Sequence, residues 1–91
     1  MSEIRKRFVY HGRVQGVGFR YTSMLAAQSL GLTGWVKNQY DGTVMMEVQG
    51  SEYLINKLQV RLNTDRFIRI EWIDSEDIPV IESETKFNLK C

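Results

Sequence analysis

The 91 residues hold one cysteine, Cys91, one histidine, His11, and one proline, Pro79. A lone cysteine excludes an internal disulfide, leaves only an intermolecular one open, and fits a reducing compartment. One histidine and one cysteine cannot make a zinc constellation, and neither a metal nor another cofactor is expected. No apolar run approaches the roughly 18 residues that a membrane-spanning helix needs. The opening Met1-Ser-Glu-Ile-Arg-Lys-Arg7 carries charge with no apolar run behind it, so it does not read as a signal peptide. These absences predict a cytoplasmic protein without a membrane partner. Excess charge is also missing: a formal net charge of +1 argues against a general nucleic-acid binder. Arg5, Lys6, Arg7, Arg13 and Arg20 make the start basic, while Glu71, Asp74, Glu76, Asp77, Glu82 and Glu84 make a late stretch acidic. Both read as solvated faces. The length predicts one domain over residues 1–91 with a small core. A monomer is expected, although the residues themselves do not give the oligomeric state.

What the chain does have is glycine where it counts. Gly12-Arg-Val-Gln-Gly-Val-Gly-Phe-Arg20 holds three glycines in nine residues, between a predicted strand and a predicted helix. Glycines at 16 and 18 can take positive φ, which lets successive N–H groups turn toward one point. A helix N-terminus adds its unpaired N–H groups and the positive end of its dipole. Arg20 supplies a planar fork of donors suited to two phosphate oxygens. The nucleotide-loop patterns fail here. No Lys-Ser or Lys-Thr follows, and after Gly16 and Gly18 the third position of a dinucleotide fingerprint is Tyr21. On the residues alone, a tight strand-to-helix turn that needs glycine is an equal reading.

Alternation puts Phe8, Tyr10 and Val14 on one face of a first strand, residues 7–14, and Arg7, Val9, His11 and Arg13 on the other. His11 therefore reads as a polar strand residue before it reads as a general base. Residues 21–30 form a predicted helix with Met24, Ala27 and Leu30 at helical spacing. Thr22 and Ser23 lack a neighbouring base, so a hydroxyl nucleophile is discounted. Strands at 34–40 and 43–49 flank a hairpin turn at Asp41-Gly42. Ser51 caps a second helix whose buried stripe is Leu54, Leu58 and Leu62, with Ile55. A fourth strand, 67–73, is predicted to set Ile68, Ile70 and Trp72 on one face. Residues 74–84 read as a polar loop, and 85–89 as a short last strand. The order is βαββαβ plus a terminal strand. It predicts an α+β, ferredoxin-like sandwich: an antiparallel sheet of order 4-1-3-2 with two helices on one face.

Two motifs in this order, Gly12 to Arg20 and then Leu30-Gly-Leu-Thr-Gly-Trp-Val-Lys-Asn38 with Asp41-Gly-Thr-Val44, make the chain similar to the acylphosphatase family. The resemblance is strong over residues 8–50 and an outline beyond. Thr64-Asp-Arg-Phe67 stands where that family has a proline-rich approach to the fourth strand. The resemblance implies metal-independent hydrolysis of a small acyl phosphate to a carboxylate and inorganic phosphate. It implies that the loop Gln15, Gly16, Val17, Gly18, Phe19 and Arg20 binds phosphate, that Arg20 is catalytic, and that Asn38 positions the attacking water. Without it, Asn38 reads as turn chemistry. The rival is a non-catalytic anion- or RNA-binding ferredoxin-like module. Strand 43–49 has no aromatic on which a base could stack, which speaks against RNA.

Overall fold

The computed structural model describes residues 3–91. The elements are β1 (Ile4–Arg13), α1 (Phe19–Ser29), β2 (Thr33–Asn38), β3 (Val44–Gly50), α2 (Glu52–Asn63), β4 (Arg69–Ile78) and β5 (Phe87–Lys90). The sheet runs β4-β1-β3-β2-β5. Its first four strands pair antiparallel in the expected order, and β5 adds a parallel edge beside β2. The sheet is therefore mixed, which the antiparallel expectation had not included.

Register explains the core. Phe8, Met46 and Val36 form one row across β1, β3 and β2, and Tyr10 pairs with Val44 in the next. All five are buried, together with Ala26 and Ala27 of α1 and Ile55, Leu58 and Leu62 of α2. Of the α2 stripe, Leu54 is only half-buried and Ile55 takes its place in the core. Ser51 caps α2 as its sequence requires, accepting from the Leu54 N–H at 3.3 Å.

Three expectations need correction. Helix α1 starts at Phe19 rather than Tyr21, and Phe19 is a core residue with its ring 4.8 Å from that of Tyr10. The supposed loop at 74–78 is strand: β4 continues to Ile78. It does so in an antiparallel ladder with β1, along which its carboxylates meet the basic strand. Arg7 pairs with Glu76 at 3.0 Å, Lys6 with Asp77 at 3.1 Å and His11 with Asp74 at 2.8 Å. Lys6 and Arg7 of the basic start are thus partnered across one strand pair by Asp77 and Glu76 of the acidic stretch, whose side chains stay largely exposed. Trp72, finally, is not on the core face with Ile68 and Ile70. The register shifts between His11 and Gly12, where Ile70 faces Gly12 and Trp72 faces His11. Glu71 is the extra residue of a bulge, and a bulge flips the alternation beyond it. Trp72 is left exposed and stacked on His11, ring centroids 4.2 Å apart.

The outer sheet face carries a buried ion network. Arg5, 1% exposed, donates to Glu47 at 3.0 Å and to Glu84 at 2.7 Å. Gln49 accepts from the Ile81 N–H and donates to the Ile81 carbonyl, at 2.8 and 2.9 Å. These contacts strap the β4–β5 connection across the sheet and deliver β5 to its edge.

Candidate active site

The chain leaves β1 through Val14, which is buried, and turns on Gly16 (φ 72°) and Gly18 (φ 81°) into α1. A side chain at either glycine would meet nothing within 4 Å, so backbone conformation alone requires glycine there. Gly18 is the N-cap of α1 and gives it no side-chain cap, and no acidic residue sits in the first turn. The first N–H groups of α1 are left for an outside acceptor.

A cavity of about 200 Å³ opens at this junction, lined by Gly16, Gly18, Phe19, Arg20 and, from the end of β2, Asn38. Arg20 and Asn38, eighteen positions apart, thus face one space. Val14, Tyr21 and Leu89 complete the lining. Arg20 is held: its Nη1 donates to the Lys90 carbonyl at 2.8 Å. The rest of the guanidinium keeps its other N–H groups, more than enough for an oxyanion. β5 is fixed in turn by pairing with β2 and by the Lys90 ammonium, 4.4 Å from the Trp35 ring centroid.

Gln15 and Val17 do not line the cavity. Val17 packs against the core. The Gln15 amide reaches across to the β2–β3 hairpin, donating to the carbonyls of Gln39 at 2.7 Å and Thr43 at 2.9 Å. It ties the glycine loop to the turn that follows Asn38. That turn is braced from within: the Asp41 carboxylate accepts from the Thr43 hydroxyl at 2.6 Å and its N–H at 3.0 Å, which holds the Asp41 pKa below its ordinary value. Phe19 enters the site through its backbone, because its ring is committed to the core. His11 is occupied by Asp74 and Trp72. Among the described residues, no group of three His, Cys, Asp or Glu is placed to hold a metal. No helix among them is long and apolar enough to cross a membrane.

Sequence reasoning missed Leu89, Tyr21 and the Lys90 carbonyl. Nothing local marks them, since the last strand reaches the site only by pairing with β2. The Gln15 clamp was hidden by its place in the loop, where a backbone role is the natural reading.

Fold and cavity define a ferredoxin-like α+β domain with a small cavity at its first strand-to-helix junction. The family model "Acylphosphatase" matches residues 6–89. An acylphosphatase of Clostridium perfringens is 45% identical over 86 residues, 93% of this chain and 97% of that one. One from Clostridium beijerinckii is 42% identical, covering 96% and 98%. The crystal structure of acylphosphatase from Bacillus subtilis superposes with a TM-score of 0.88 at 30% identity, covering 97% of this chain and 99% of that one. The chain belongs to the acylphosphatase family.

Proposed function

We propose that the chain hydrolyses acyl phosphates to a carboxylate and inorganic phosphate, with the Arg20 cavity as its active site. The observation that carries this is the meeting of Arg20, Asn38 and an uncapped helix N-terminus around one small cavity. The phosphoryl oxygens sit against the N–H groups of residues 16–20 and the free donors of Arg20. These groups offset charge as it moves during P–O cleavage. The Asn38 amide, which makes no other side-chain hydrogen bond among the described residues, orients a water in line with the breaking bond. Water adds to phosphorus, the carboxylate departs with the P–O electron pair, and a phosphate oxygen takes the proton. A carboxylate is a good leaving group, so a weak nucleophile suffices and the reaction runs without a metal.

The site uses small molecules, and we place the protein in the cytoplasm as a monomer. Phosphate release from benzoyl phosphate tests the reading, with a phosphate monoester as control and chelator present. Turnover of the acyl phosphate alone, reduced at least about a hundredfold in Arg20→Gln, is expected. No turnover by folded wild type that still binds phosphate would make this an anion-binding module instead.

A further inference from the structure

On the outer sheet face the cations are matched by carboxylates: Arg5 with Glu47 and Glu84, Arg7 with Glu47 and Glu76. The pattern stops at the end of β1. There Arg13 stands directly opposite Arg69 of β4. Among the described residues neither has a carboxylate partner. Like charges directly opposite in a sheet destabilise it unless something offsets them. Arg66, in the turn before β4, is a third guanidinium without a carboxylate, placed 5.3 Å from the Phe67 ring centroid. All three line one cavity of about 280 Å³, with Asn63 from the end of α2 and the exposed ring of Phe67. It shares no residue with the Arg20 cavity.

Each guanidinium presents a fork matched to two oxygens of an oxyanion. A single phosphate brings at most about two negative charges, fewer than the guanidiniums present. A diphosphate brings enough charge and enough oxygens for all of them. We propose that Arg13, Arg66 and Arg69 form a second anion site, separate from the Arg20 cavity, that binds a diphosphate group. The group comes either free or on a nucleoside, whose base would lie on Phe67.

Titration of isotope-labelled protein with pyrophosphate at physiological ionic strength tests this by NMR. Saturable shifts are expected at the Nε–H groups of Arg13, Arg66 and Arg69, and they persist in Arg20→Gln. The Arg66 shift disappears in Arg13→Ser/Arg69→Ser, which still turns over benzoyl phosphate at the wild-type rate. Arg66→Ser, should the double variant misfold, weakens binding about tenfold, the loss of one charge-assisted hydrogen bond. A nucleoside diphosphate runs in parallel. Tighter binding with Phe67 ring shifts supports the nucleotide source, and equal or weaker binding supports free diphosphate. Shifts confined to residues 16–20, a linear, non-saturating response at Arg13 and Arg69 of the wild type, or an Arg66 shift that survives the double variant, would overturn the site.

Discussion

Replacing Gln15 by leucine keeps the side chain's bulk and removes its two donors. Both carbonyls it serves keep another partner. The Thr43 carbonyl accepts from the Gln39 N–H at 2.9 Å, and the Gln39 carbonyl from the Gly42 N–H at 3.2 Å. No acceptor is orphaned, so the stability cost is two ordinary hydrogen bonds, about 1–3 kcal/mol in all. A small domain with about 5–15 kcal/mol of stability stays folded. The kinetic cost falls on kcat, because the clamp is the direct side-chain tie between the loop and the turn beyond Asn38. A misplacement of about 1 Å between water and phosphorus costs about a hundredfold. Inhibition by inorganic phosphate should barely change, since in the proposed mechanism Arg20 and the loop N–H groups hold it. Steady-state kinetics on benzoyl phosphate, run well below the variant's Tm, should give a kcat about a hundredfold lower with the phosphate inhibition constant within about threefold of wild type. A normal kcat, or a loss of phosphate affinity equal to the loss in kcat, would refute the positioning role.

Arg20→Lys should not restore the activity lost in Arg20→Gln, because a point charge cannot both grip the Lys90 carbonyl and fork onto two phosphate oxygens; near-normal kcat in this variant would contradict that. Burial works to raise the Glu47 pKa, but the hydrogen bonds from Arg7 and Arg5 prevail and lower it. Its stabilisation is therefore full at neutral pH and is lost as the pH falls below the usual glutamate value of about 4.3. Glu47→Ala should cost about 3–5 kcal/mol at pH 7 in urea denaturation, with the gap from wild type closing in acid. Arg69→Thr, measured without phosphates, should gain about 0.2–1 kcal/mol by relieving the facing arginines.

The inner half of this fold was legible because its hydrophobic alternation is clean: Phe8, Tyr10, Val44, Met46 and the α2 stripe all carry the period of their element. The edges were not. β4 joins the ladder of β1 through polar residues, so Asp74 to Asp77 look like loop until Arg7 and Lys6 are set opposite them. The bulge at Glu71 leaves no local mark, and it alone decides that Trp72 faces outward. At the approach to β4, Asp65 does what the missing prolines would: its carboxylate accepts from the Phe67 N–H at 2.9 Å and shapes the turn. The motifs named Arg20 and Asn38. That they line one cavity depends on β2 pairing with β3 and on β5 closing beside α1, which no spacing along the chain contains.

The most direct test of the account is where solvent oxygen goes. Hydrolysis of benzoyl phosphate in ¹⁸O-water, with both products read by mass spectrometry, reports which atom the water attacks. A water held by Asn38 in line with the bond to a phosphoryl group fixed by Arg20 predicts the label in inorganic phosphate and none in benzoate. Label in benzoate would mean attack at the carbonyl carbon, and the roles given to Arg20 and Asn38 would be wrong.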